Sequence, residues 1–309
     1  MTDFLAEPGL PQPPDPVAPL GPVAVAVAVA APTMRVPSAW WRLLLRRPTF
    51  LVGAGIVLFW IVCAIFGHLF APYNPLAQQL LEANAAPSAS HWFGTDPLGR
   101  DMLSRVIVGA RDILVITPLA TILGTVIGTA LGLAMGYLGG ALDLVASRIV
   151  EAVLALPAVM TAFLFIVALG PSTTTLIIVI GFIFTPLIAR TVRAAVLAER
   201  HLDYLSAARL LGENPMRVMF GEILPNVMPA ILVEFTVRLG YAIFAVATLS
   251  FLGFGVQPPT PDWGADIAAN YGNLVSGYWW QTLFPALAIA SLVTAVNLIT
   301  DSIEQVLSS

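Results

Sequence analysis

Glu234 and Arg238 lie four residues apart inside the apolar run from Val227 to Phe251, a spacing that lets them pair on one face of a helix. An unpaired charge at mid-bilayer costs on the order of 3 kcal/mol, so both side chains are expected to face other helices or a watery cavity. The pair is then either a structural brace or part of the lining of a transport path. Arg148 and Glu151, three apart at the edge of another apolar run, can form a second pair. Other chemistry is short of parts. All 14 basic residues are arginine, so the lysine of a Walker A loop is missing and a lysine Schiff base is excluded. Histidine occurs at 68, 91 and 201 only, and neither HExxH nor GxSxG appears, which removes the common metalloprotease and serine-hydrolase readings. A lone His68 at the edge of a span is a poor nickel site beside a His or Cys cluster. Cys63 stands alone, with packing as its expected role. No catalytic residue and no metal ligand is therefore assigned.

The elements that must position these residues are membrane helices. Hydrophobic residues make up 58% of the chain and charged residues 10%, against about a quarter charged in soluble proteins. Six runs are long and apolar enough to cross a bilayer, which takes roughly 20 helical residues. They are Phe50 to Phe70, Ile113 to Leu138, Ile149 to Leu169, Ser172 to Ala189, Val227 to Phe251 and Thr282 to Thr300. In the second run Gly124, Gly128, Gly132 and Gly136 fall on one helical face, a spacing that lets two spans approach closely. The arginines set the orientation. With the N-terminus in the cytoplasm, Arg35, Arg42, Arg46, Arg47, Arg148, Arg190, Arg193, Arg200, Arg209 and Arg217 lie inside, and Arg100, Arg105 and Arg111 in or beside an external loop. Both termini are then cytoplasmic, position 213 falls inside and position 262 outside. The net charge of -4 offers no basic face for nucleic acid.

Between the fourth and fifth runs lies a polar stretch, Tyr204 to Gly212, then Asn214-Pro215, then Ile223-Leu224-Pro225-Asn226. Gly212 supplies a left-handed helix end, and Asn214 can cap a second helix with Pro215 as its first residue. Two short helices joined by a tight turn are expected. Ala207 and Ala208 leave one face of the first almost bare, so another surface can approach it.

These residues resemble a known family. The Ala207-Ala208 pair, Gly212 four residues later and Leu224-Pro225 ending thirteen residues after Gly212 are similar to the coupling loop of ATP-binding-cassette importer permeases, with Ser206 where Glu is usual and Glu222 where an apolar residue or His is usual. The stretches His91 to Asp101 and Leu249 to Pro259, together with Gly136 to Gly140, Asp143, Arg148, Asn297, Leu298 and Asp301, resemble the C-type permease subunit of dipeptide, oligopeptide and nickel importers. The likeness covers roughly 46–304. It implies an all-α polytopic fold with six transmembrane helices and a cytoplasmic coupling helix pair, the type I importer permease fold. It also implies a second, B-type permease, two ATPase subunits that bind the ATP and magnesium, and an extracytoplasmic binding protein that delivers the ligand. Ala207, Ala208, Gly212, Asn214, Pro215, Leu224 and Pro225 would carry the coupling to the ATPases.

The resulting division is a Pro-rich tail with a basic interfacial helix at 1–48, a transmembrane domain at 49–304 and a short tail at 305–309. Loops at 71–112 and 252–281 would be external and 190–226 cytoplasmic. Peptide is favoured over nickel as cargo. A secondary transporter using Glu234 or Glu151 as an ion relay explains the spans but leaves the 204–226 loop without a purpose, and a membrane enzyme lacks a clustered nucleophile or metal set.

Overall fold

The computed structural model describes residues 40–202, 204–205 and 211–307. Among them every regular element is helical: α1 (Trp40–Leu44), α2 (Pro48–Phe70), α3 (Met102–Leu138), α4 (Gly140–Leu154), α5 (Ala158–Leu169), α6 (Thr173–Glu199), α7 (Pro215–Phe251), α8 (Trp263–Asn270) and α9 (Trp280–Leu307). Short polar side chains set several starts. Asp101 accepts from the Ser104 amide, Ser172 from Thr175 and Asp262 from Ala265, which satisfies donors that a helix start leaves free.

Helix α3 is 37 residues long, about 55 Å at 1.5 Å per residue, well beyond a ~30 Å hydrocarbon core. It begins at Met102, eleven residues before the apolar run, because the Asp101 cap sets the start whatever the polarity of Arg105, Arg111 and Asp112. Helix α6 likewise passes through Pro186 and continues to Glu199, ten residues beyond its apolar run. The third run departs most from expectation. Instead of one span over Ile149 to Leu169, α4 and α5 meet at a bend of 89°. Pro157 causes it, since the residue before a proline is pushed out of helical geometry and the proline lacks a donor.

The glycine face of α3 decides how many times the chain crosses. A Cβ on Gly124 would lie 2.8 Å from the Gly181 carbonyl, on Gly128 2.8 Å from that of Thr185, and on Gly132 2.7 Å from that of Ala189. On Gly136 it would lie 2.7 Å from Val196. The partner numbers rise together along both helices, so α3 and α6 run parallel. The chain between them must return across the membrane, and the bent α4–α5 pair is that crossing. The described residues then make six crossings. Gly67 of α2 packs on Ile107 near the start of α3, and Thr49 bonds Ser302 at 3.0 Å, so the start of α2 and the end of α9 lie at the same end as the 204–226 loop.

The shared core fills the space between α2, α3, α5, α6, α7 and α9, with Ile116, Ile166, Leu176, Ile188, Ile243 and Leu292 buried within it.

Candidate functional site: the 204–226 loop and the Glu234–Arg238 pair

At the loop end, Gly212 has a φ of +70°, and among the described residues nothing lies within 4 Å of its would-be Cβ. Asn214 accepts from the Met216 amide at 2.9 Å, and Pro215 is the first helical residue. The second helix is not a short separate piece: a π-helical turn at Val218–Ile223 carries it straight into the membrane as α7. Leu224 is half-buried and Pro225 exposed at that junction. Asn226 donates to the Glu222 carbonyl at 2.8 Å and to the Tyr204 hydroxyl at 3.1 Å, and Tyr204 donates to Glu199 at 2.9 Å. The chain leaving α6 is thereby lashed to the start of α7. Burial and the bond to Glu199 push the Tyr204 phenol up to about 12, so it stays a donor. Leu211, Met216 and Phe220 stand exposed on this loop. Ala207 and Ala208, with Ser206, lie outside the described residues.

Near the middle of α7, Arg238 meets the Glu234 carboxylate at 2.5 Å through Nη2 and 2.6 Å through Nε. Both are largely buried, and the guanidinium lies 5.6 Å from the centre of the Tyr241 ring. Arg238, Tyr241 and Phe244 line a cavity of about 250 Å³ against α5 and α6. The pair thus stands where the short α5 meets α7. At the loop end Asp143 binds Arg193 through both oxygens, at 2.5 and 2.8 Å, tying α4 to α6. The Arg148–Glu151 pair closes at 2.8 Å but is open to solvent, where such pairs contribute about 0–1 kcal/mol.

The opposite end carries a polar cap, built around the His91 to Asp101 stretch. His91 is held between Asp101 at 2.8 Å and Glu82 at 3.0 Å. Asp101 also caps α3, and buried Asp96 accepts from the Leu98 and Arg100 amides and from the Arg100 side chain. Trp280 and Gln281 both donate to the Thr95 carbonyl, which ties the 82–105 segment to the start of α9. Arg105 and Asp266, 161 residues apart, form a buried ion pair, and Arg105 also reaches the Pro75 carbonyl. Asp262, 3% exposed, binds Ser250.

This cap is expected to weaken as pH rises. Burial pulls the His91 imidazole down, but hydrogen bonds and charge from Asp101 and Glu82 outweigh it and leave its pKa raised. That contribution is complete below the ordinary value of about 6.5 and fades as pH climbs through the raised one. Burial pushes the Asp262 carboxyl up to about 6, and since its folded value lies above the unfolded one, its contribution is likewise lost as pH rises through about 6. The melting temperature of the purified protein should therefore fall between about pH 5 and pH 8, and His91→Gln with Asp262→Asn should flatten that slope. A wild-type slope unchanged in the double variant would sink this account.

A family profile described as "Binding-protein-dependent transport system inner membrane component" matches residues 128–309, and one described as "N-terminal TM domain of oligopeptide transport permease C" matches residues 38–87. The chain is 36% identical over 282 residues to the dipeptide transport system permease protein DppC of Bacillus subtilis strain 168, covering 91% of this chain and 88% of that one. It is 39% identical over 287 residues to DppC of Escherichia coli K12, covering 90% and 95%. Against the glutathione transport system permease protein GsiD of Escherichia coli O1:K1 the identity is 37% over 271 residues, covering 87% and 88%. A chain of the MetNI methionine ABC transporter, solved in inward-facing conformations, superposes with a TM-score of 0.54 at 21% identity, covering 66% of this chain and 97% of that one, which shows a common fold.

Proposed function

Because this chain belongs to the binding-protein-dependent transport system inner membrane component family, we propose that it is the C-type permease of an ATP-driven importer of di- and oligopeptides. Membership makes it a multi-pass permease subunit of the inner membrane with the type I importer fold. The cargo reading rests on one observation. Relatives named for dipeptides and for glutathione, itself a peptide, align over about nine tenths of the chain.

In this reading a B-type permease completes the path, an extracytoplasmic binding protein delivers the peptide, and two ATPase subunits bind ATP and magnesium. The arginine bias and the two described chain ends at the loop end support a cytoplasmic loop with both termini inside. ATP-driven closure of the ATPases moves the loop, and α7, helical through its π turn, carries that movement toward Glu234 and Arg238. The free energy of the nucleotide cycle shifts a two-state equilibrium between inward- and outward-facing bundles.

Reconstitution tests the reading. Vesicles holding the full complex and binding protein should take up labelled dipeptide only with ATP, and the binding protein should purify with peptide that mass spectrometry identifies. Uptake driven by an ion gradient without ATP would instead indicate a secondary transporter. Orientation is separable. In intact cells a cysteine at Val275, 96% exposed, should react with an impermeant thiol reagent, and one at Leu211, 79% exposed, should not. Position 262 is unsuited as a reporter because its side chain is buried as a helix cap.

Coupling supplies a second expected result. Gly212→Val forces a Cβ into a left-handed position, a strain on the order of 1 kcal/mol, and no described residue lies close enough to add a clash. The complex should assemble, while ligand-stimulated ATP hydrolysis drops about fivefold, the equilibrium equivalent of that strain. Ala208→Trp should release the ATPase in a pull-down. Full stimulation and transport in both variants would remove the loop from the coupling mechanism.

A further inference from the structure

Two cavities open beside α2 and α3, and they share Arg111 and Val115. The larger, about 620 Å³, lies among α2, α3, α7 and α9 and is apolar: Val57, Ile61, Leu239, Ile243 and Leu292 line it. Among the described residues Arg111 is its one ionisable side chain, and the Thr117 hydroxyl there is already committed to the Ile113 carbonyl at 2.7 Å. The smaller, about 400 Å³, lies at the cap end and is polar, lined by His68, Asn74, Arg111, Asp112 and Thr260. Among the described residues neither Arg111 nor Asp112 forms a hydrogen bond or a close ion pair; Arg111 attracts Asp112, whose charge also repels that of Asp262, and both side chains have bonding capacity to spare. Arg111 is exposed, about two turns along α3 from its start. An arginine in that condition at the edge of the membrane suits an anionic partner such as a lipid headgroup.

We propose that the joined cavities hold one phospholipid with a zwitterionic phosphoethanolamine headgroup. Arg111 at the junction binds the phosphate, a fork that suits its oxygens, and Asp112 accepts from the ammonium. An acyl chain follows the apolar cavity inward. The dimensions agree. From His68 to Val57 along α2 is eleven residues, about 16 Å, half of the ~30 Å hydrocarbon thickness and therefore the depth of one leaflet. Charge chooses the headgroup. One cation and one anion sum to zero, so a zwitterion satisfies both, whereas an anionic phosphatidylglycerol leaves Asp112 facing a phosphate with no ammonium between them.

The test uses the whole transporter, exchanged into nanodiscs of equal phosphatidylethanolamine and phosphatidylglycerol, then stripped in detergent and measured by native mass spectrometry. Wild type should retain phosphatidylethanolamine preferentially. Arg111→Gln should retain about tenfold less phospholipid, as the loss of a charge-assisted bond implies. Asp112→Asn should still retain phospholipid but shift its preference toward phosphatidylglycerol, a change that a merely structural role would not produce. Equal retention in wild type and Arg111→Gln, or no headgroup shift in Asp112→Asn, would overturn the proposal. So would a photoreactive residue at Val115 that captures the sister permease rather than lipid, or displacement of the retained lipid by added dipeptide.

Discussion

Asp266→Ala should largely prevent accumulation of the folded permease. Asp266 and Arg105 have side chains only 3% and 4% exposed, and the guanidinium contacts both carboxylate oxygens, at 3.1 Å through Nε and at 2.5 Å through Nη2. Removing one partner of a buried pair leaves an uncompensated charge and costs about 3–5 kcal/mol, a large part of the 5–15 kcal/mol that stabilises a typical domain. The cap would suffer first, because Arg105 also holds the Pro75 carbonyl at 3.3 Å and Asp266 sits on α8. Arg105→Met with Asp266→Leu should be milder than either single change, since no charge is stranded. Melting temperature and yield of the detergent-purified complex measure the effect. Single variants that melt with wild type would show the pair to be energetically idle.

Arg238→Gln is the second large effect. Glu234 would keep its charge near mid-bilayer without its described partner, at a cost on the order of 3 kcal/mol. Glu234→Gln should cost less, because Arg238 keeps the Tyr241 ring, and a cation–π contact offsets about 1 kcal/mol. The double variant should be mildest. Assembled complex and peptide uptake are measured together. Normal assembly in all three variants with uptake abolished would make the pair part of the peptide's path and would remove it as a brace.

Legibility in the sequence followed the range of the forces involved. Hydrophobic length and the four-residue spacing of glycines, or of Glu234 and Arg238, are local, so the spans and the faces could be written down before the fold was known. The break at Pro157 is local too, yet averaging hydropathy over the run from Ile149 to Leu169 hides a single backbone defect among apolar side chains. The early start of α3 hides for the converse reason, since Asp101 and Ser104 signal a cap while the following polar residues lower the apolarity. Arg105–Asp266 was out of reach altogether, because nothing near either residue names a partner 161 positions away. Around the loop, the Gly212 turn and the Asn214 cap follow from residue type, whereas the continuity of the second helix into α7 depends on a π turn that no residue pattern announced.

The seam between α3 and α6 also constrains how this protein can change over generations. No residue is smaller than glycine, so every mutation at Gly124, Gly128, Gly132 or Gly136 adds atoms where a single carbon already crowds a neighbour at 2.7–2.8 Å. Drift at these positions has no neutral first step, and a larger residue can settle only if α6 yields space in the same lineage. Gly55, with no described residue within 4 Å of a Cβ placed there, carries no such restriction. Glycines on neighbouring spans thus have opposite evolutionary freedom, set by what stands across from them.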